Sequence, residues 1–334
     1  MEYILNKTPI RTSKNYKVND FKIDLDIKET PFDDYSIEGI DKVKKEIRNN
    51  LDTKIGLPIN KYLYLKLDVT SFDTPVVINY DFNNKYLSSY IDIEVKEDVK
   101  RDINIVYTSS KEVFLNTKIS INQKKNSFSN INIINLTNKE SKSFISIENN
   151  LKDNASSKVN FIELGGKVKV SNYYSMLNGV NSVNEFYSLY LGRDNDKIDL
   201  NYYIGHNNKN TTGKILTVGS LSNNSYKTFK GTIDFYEGSS LSNGEENEKC
   251  TLLSDEVTSK SLPMLLCHEE NVIGSHGVST GKIDSDKLFY LTSRGISEKD
   301  AKKLIVISDY NKVIERITDE KLREKIENRI NELL

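Results

Sequence analysis

From about Lys61 to Leu265 the chain alternates apolar and polar residues in short runs, including YLYLKLDVT, VFLNTKISIN, SNINIINL, SFISIENNL, SKVNFIEL, FYSLYLG and GTIDFYEG. A period of two sends successive side chains to opposite faces, so each run predicts a strand with one face turned to a core. The gaps between runs hold Asn, Asp, Gly, Ser and Lys, which suit turns. No segment in this region carries a helical period. Roughly two hundred residues of short strands imply a sandwich, a barrel or a solenoid. No repeat of fixed length separates these three. The Asn residues near strand ends favour a solenoid, because Asn tolerates the left-handed corners that each coil requires.

The pattern changes at both flanks. KTPIRTSKNYKVNDFKIDL predicts an extended N-terminal arm, and Ile40, Val43 and Ile47 stand at helical spacing, predicting a short capping helix over Gly39–Asn49. After Asp284 the period lengthens again. DSDKLFYLTSRGI predicts a helix stopped by Gly295, and Ser297 is placed to cap a second one, with acidic Glu298 and Asp300 in its first turn. Ala301, Leu304, Ile305 and Ser308 form the face of that second helix. Thr318 is the expected cap of a third, with Leu322, Ile326, Ile330 and Leu333 on one stripe. The expected division is an arm and capping helix (1–58), a β core (59–282) and a helical domain (283–334). The apolar stripes of the helices need a partner surface, either the β core or another protein.

Composition narrows the function classes. Lys plus Arg number 47 against 48 Asp plus Glu, which supplies no field for gripping nucleic acid or an anionic membrane. No apolar run is long enough to span a membrane, and the N-terminal residues have no secretory pattern, so the expectation is a cytoplasmic protein. The two cysteines, Cys250 and Cys267, are too few for a disulfide framework. Phosphate-loop, nucleophile-elbow and zinc-helix motifs are missing; Gly165-Gly166-Lys167 lacks both the upstream glycine and the following hydroxyl. Three histidines, His206, His268 and His276, leave little room for a triad or a three-His metal site. The reading is therefore non-enzymatic. One suggestive group remains, Cys250, Cys267, His268 and His276, whose thiolate and imidazole donors suit zinc or iron–sulfur clusters but whose spacing matches no tight metal motif. The neighbouring Glu269 and Glu270, and the lysines Lys227 and Lys230, read as solvated surface.

CHEENVIGSHGVSTGKIDSDKLFYLTSRGISEKDAKKLIV, from Cys267 to Val306, resembles the signature block of the SufB/SufD family of iron–sulfur cluster assembly proteins. NNSYKTFKGTIDF, HNNKNTTGKI and TPIRT resemble earlier parts of the same family, so the likeness extends over nearly the whole chain. It implies a right-handed parallel β-helix with a short N-terminal segment and a C-terminal α-helical domain. It also implies two partners: a SufB paralogue, or a second copy of the chain, and the ATPase SufC, docked through Arg294, Ala301, Leu304 and Ile305. On this reading the cargo is a transient iron–sulfur cluster, no cofactor is held tightly, and the ligand candidates are His276, Cys267 and Cys250. SufB-like chains carry Glu after the histidine; here Gly277 follows His276, and Ser-His-Gly is SufD-like. That departure argues against nucleation of a cluster by this chain alone, the alternative being a SufB-like homodimeric scaffold that carries the whole site. A solenoid enzyme acting on carbohydrate would want a secretory signal and clustered Asp and Arg, and neither is visible.

Overall fold

The computed structural model describes residues 1–11, 16–26, 35–39, 43–48, 57, 62–69, 75–81 and 85–334. Its alternating segments become strands that fall into two parallel stacks. One sheet runs β3 (Tyr35–Glu38), β6 (Val76–Asp81), β8 (Lys100–Thr108), β10 (Phe128–Leu136), β12 (Ser156–Glu163), β14 (Val183–Gly192), β16 (Thr212–Leu221), β18 (Ser242–Leu252) and β20 (Val272–Lys282). The other runs β4 (Val43–Arg48), β5 (Tyr62–Val69), β7 (Tyr86–Val95), β9 (Phe114–Gln123), β11 (Lys142–Leu151), β13 (Val168–Leu177), β15 (Lys197–His206), β17 (Tyr226–Phe235) and β19 (Thr258–Cys267). From β5 onward the chain alternates between the sheets, and each strand pairs in parallel with the strand two places on. The result is a parallel β-solenoid of about 7 turns.

Each coil closes through corners that the side chains set. Asp98, Asn126, Asn154, Asn181 and Asn210 occupy one corner in successive coils, all at positive φ. Their side chains form a ladder, each Nδ2 donating to the Oδ1 of the coil before: Asn126 to Asp98 at 2.9 Å, Asn154 to Asn126 at 3.0 Å, Asn181 to Asn154 at 3.0 Å. The ladder continues with Asn210 to Asn181, and the next coil puts Leu241 in the same left-handed conformation, with φ of 62°. Asn suits this corner because its short side chain tolerates the left-handed region and can bond to its neighbour. The coil length is not constant. Stacked partners lie 28 residues apart at Asn104 and Asn132 but 31 apart at Thr211 and Ser242. That drift hides the repeat from any search for a fixed period.

The lumen is filled by apolar side chains and stacked aromatics, among them Tyr80 on Tyr107 with ring centroids 4.8 Å apart and Tyr173 on Phe186 at 3.9 Å. Both outer faces are also covered. Leu5, Leu25 and Leu57 of the N-terminal segment, where β1 (Glu2–Leu5) pairs antiparallel with β2 (Phe21–Asp24), pack on Phe144, Val168 and Val170. Asn6 anchors this arm, its Nδ2 donating to Asp199 Oδ1 at 2.8 Å and to the Ser171 carbonyl at 2.9 Å. The opposite outer face lies beneath α2 (Glu298–Ile314) and α3 (Glu320–Leu333), preceded by α1 (Ser285–Ser293). Val306, Tyr310, Val313, Ile314, Ile317, Leu322, Ile326 and Ile330 meet Val106, Ile134, Ile162, Leu189 and Val218 of the sheet. The Arg316 guanidinium lies 3.6 Å from the Tyr187 ring centroid and clamps the same contact.

Four expectations need correction. The stretch expected as a capping helix is, over its described part Val43–Arg48, the strand β4 paired antiparallel with β5; Ile40 lies outside the described residues. Val43 and Ile47 are four apart, a spacing that fits one strand face as well as a helical turn, and pairing with β5 decides. The third helix is capped by Asp319, which accepts from the Leu322 amide at 3.1 Å, and not by Thr318. Lys227 and Lys230 are fully buried, each in an ion pair 2.6 Å long, with Glu248 and Asp199 respectively. Finally, much of the helical module is sealed on its own solenoid, including Ala301, which is buried within the chain. Other expectations hold. Gly295, with φ of 87°, ends α1, and Ser297 Oγ accepts from the Asp300 amide at 3.1 Å.

Candidate functional site

The last coil has no coil above it. Strands β19 and β20 end the two sheets, each paired on one side only among the described residues. β20 is exposed along nearly all its length, in contrast to the buried strands beneath it. Ile273 and Val278, apolar residues on this rim, are 69% and 38% exposed.

The lumen immediately below this rim is polar. On β18 the inward positions are Gly244, Glu246, Glu248 and Cys250. Glu248 is fully satisfied: it accepts from Lys227 Nζ at 2.6 Å, Tyr190 Oη at 2.9 Å and Ser261 Oγ at 2.6 Å. Glu246 is fully buried, and neither of its carboxylate oxygens has a hydrogen-bond partner. Burial, reinforced by the charge of Glu248 and opposed by Lys227, pushes its pKa up to about 8. Cys250 is buried in the same strip, its Sγ taking a weak hydrogen bond from Ser259 Oγ at 3.7 Å, and burial raises its thiol pKa. A buried thiol of this kind is protonated and is a poor ligand as it stands. Further into the solenoid the polar strip continues with Glu163, raised to about 8 mainly by burial, beside Lys169, which pairs with Asp196 at 2.9 Å.

The four residues singled out as ligand candidates do not converge. His276 sits on β20 opposite Glu246 in register, while Cys250 pairs with Thr280. Four residues of strand, roughly 13 Å, therefore separate Cys250 from the His276 position. Cys267 closes β19 beside Phe235, an inward-facing column that also includes His206, and its Sγ contacts the Glu269 carbonyl at 3.2 Å. His268 is exposed, 4.0 Å from Asp234. Among the described residues no group of three or more His, Cys, Asp or Glu side chains is placed to hold a metal ion. His206 is a core residue: it stacks on Phe235 with centroids 4.5 Å apart, bonds Thr211 Oγ1 at 2.7 Å, and burial drives its pKa down to about 3. Only His276 and the exposed thiol of Cys267 stand at the rim.

Sequence reasoning missed Glu246 and Glu248 because acids in a strand read as solvent-facing. The signal was present in SNGEENEKCTL, where every position of one parity is small, acidic or thiol, so either face of that strand had to carry polar groups.

A second feature lies on the helical module. Tyr290 and Leu291 of α1, Leu304 and Ile305 of α2, and the Lys249–Asp309 ion pair, 2.7 Å long, line a groove of about 590 Å³. Phe289, beside it, is 73% exposed, and the exposed Arg294 stacks its guanidinium on Tyr290, 5.2 Å from the ring centroid. Of the expected docking residues, Arg294, Leu304 and Ile305 are accessible and Ala301 is not.

Residues 79–308 match the family model described as the SUF system FeS cluster assembly SufBD core domain. The chain is similar to the iron–sulfur cluster assembly protein SufD of Escherichia coli, with 28% identity over 51% of this chain and 40% of that protein. It is similar also to SufD of Bacillus subtilis, 26% identical over 47% of this chain and 36% of the relative. A SufBD family protein of Synechocystis is 32% identical over 39% and 27% of the two chains. The matched region thus spans well under half the length of each of these relatives. No helix among the described residues is long and apolar enough to cross a membrane. A family match over most of the chain, on a parallel solenoid with a C-terminal helical module, identifies this protein as a member of the SufB/SufD family of iron–sulfur cluster assembly proteins.

Proposed function

We propose that this chain is a SufD-type scaffold subunit that joins a SufB-type partner at its open rim and an ATPase of the SufC type at its helical module, and so assists assembly of nascent iron–sulfur clusters. The observation that carries this reading is the uncovered last coil, with His276 on its exposed strand. An unpaired parallel edge is a template for another chain's strand, and a partner seated there would enclose the imidazole in a shared seam.

The groove between α1 and α2 is the proposed seat of the ATPase, through Arg294, Leu304, Ile305 and the aromatic pair Phe289 and Tyr290. Because α2 and α3 are fixed to the solenoid by their buried faces, a pull on this groove would be transmitted to the β body as a rigid unit. ATP binding in the partner would then favour a strained seam over a relaxed one, provided the nucleotide binds better in the strained state. A lone imidazole holds metal weakly and in a pH-dependent way, which suits a scaffold that must release its cargo.

The test is co-expression with SufB-type and SufC-type chains. His276→Ala should leave assembly intact while lowering cluster yield, and Leu304→Asp with Ile305→Asp should abolish retention of the ATPase. Cluster yield unchanged by His276→Ala removes that residue from the site, and retention of the ATPase by the double variant removes the groove. A homodimeric scaffold is the second reading, favoured by the exposed Cys267 thiol near the same rim. A chain that purifies as a dimer and, with iron and sulfide alone, develops cluster absorbance would establish it.

A further inference from the structure

Among the described residues Glu246 is the carboxylate whose two oxygens are both buried and both without a hydrogen-bond partner. Burying such a group is costly unless something satisfies it. The donors within the penultimate coil are already committed, since Lys227, Tyr190 and Ser261 all bond to Glu248. Room for the side chain is provided by Gly231 on the facing wall, where a Cβ atom would come within 2.6 Å of Glu246 Cδ. The next coil outward places His276 directly in register with Glu246. Adjacent strands lie about 4.8 Å apart, so carboxylate and imidazole belong to one lumen-facing column, with the exposed His276 outermost. Pairing of Gly231 with Pro263 puts a residue with no donor on the wall across from His276. The column therefore presents an imidazole at the mouth and an unsatisfied carboxylate behind it.

We propose that Glu246 and His276 form a divalent-cation site at the open end of the solenoid, taking iron(II), with Glu246 as the inner oxygen ligand and His276 as the outer nitrogen ligand. Mixed carboxylate and imidazole donors favour a first-row transition ion over calcium or magnesium. The cation supplies what the buried carboxylate lacks, and the remaining coordination positions face the rim, where water, sulfide or a partner's side chain can occupy them. This inference rests on the scaffold reading for the identity of the metal, but the site itself rests on register and burial. It gives the chain a role in receiving iron before sulfur is present.

The test is anaerobic equilibrium dialysis of the full chain against iron(II) sulfate, both alone and in complex with its SufB-type and SufC-type partners. Glu246→Gln and His276→Ala should each weaken iron(II) binding by at least about tenfold. Iron(II) should raise the melting temperature of the wild-type chain and leave that of Glu246→Gln unmoved. Without metal, Glu246→Gln should melt at or above the wild-type temperature, which separates lost ligation from lost folding; Glu246→Met serves as the second variant if Gln folds poorly. Wild-type affinity for iron(II) in Glu246→Gln, in both settings, overturns the proposal. If the wild-type chain fails to join its partners yet loses iron(II) on Glu246 substitution, the scaffold reading falls and this site stands. If the partners assemble normally and iron binding is indifferent to Glu246, the site falls and the scaffold reading stands.

Discussion

The sheet that ends in β20 is dry over most of its span and wet at its last strand. From β8 to β16 its outer face lies under α2 and α3, and its inner face is in the lumen; at β20 both faces and one backbone edge are open. Residue type does not explain the difference. In the penultimate coil two glutamates and a lysine are buried, while one coil further Ile273 and Val278 face solvent. Exposure here follows position in the stack. Apolar residues outside and acids inside are the reverse of ordinary partitioning, and they mark the last coil as a surface built to be covered.

Substitutions on the dry side carry the largest expected effects. Val313→Asp places an unpaired charge in the helix–sheet contact and should cost several kcal/mol, read as loss of the cooperative urea transition or a fall in its midpoint. Next in size, Lys227→Met leaves the Glu248 charge buried alone and should destabilise by about 3–5 kcal/mol; the double variant Lys227→Met, Glu248→Leu should recover most of that. A third prediction concerns pH. Burial raises Glu163 to about 8, above its unfolded value, so the folded chain holds a proton there that the unfolded chain has lost. Stability should therefore fall as pH rises between about 4.5 and 8, and Glu163→Gln should flatten that limb by up to a few kcal/mol. His206, depressed to about 3 by burial, acts on the other side: its contribution is present above the unfolded value near 6.5 and is lost as pH falls toward 3. Smaller still, Leu241→Asn at the left-handed corner should stabilise by about 1 kcal/mol in thermal melts, because a branched side chain is poorly suited to that conformation. At the wet rim, Val278→Lys should change monomer stability by less than about 0.5 kcal/mol while blocking any partner that covers the last coil, as checked by sizing of the assembled complex.

Much of this architecture was legible in the sequence. Period-two runs marked the strands, the Asn residues marked the corners, and Gly295 and Ser297 marked the break between α1 and α2. What escaped has physical causes. The solenoid buries polar residues wherever successive coils can stack them, as Asn104, Asn132 and Asn160 do, so polarity lost its usual meaning as a surface signal. Lys230 is a case in point: its charge is matched by Asp199, far away in sequence, under an arm anchored by Asn6. The rim residue His276 was found through its Ser-His-Gly surroundings, but its register neighbour Glu246 could be seen only once the coils were stacked. The same holds for Ala301, whose place on a helical face was readable but whose neighbour across that face was not.

The bare rim has a bearing on how much of this protein a cell can carry. Two strand edges with free backbone donors and acceptors will pair with whatever strands they meet, including their own copies. A partner that occupies them removes that hazard and also holds the folded state by mass action. Abundance in excess of the covering subunit would thus show as turbidity and turnover, so production of the chain should be matched in stoichiometry to whatever caps it.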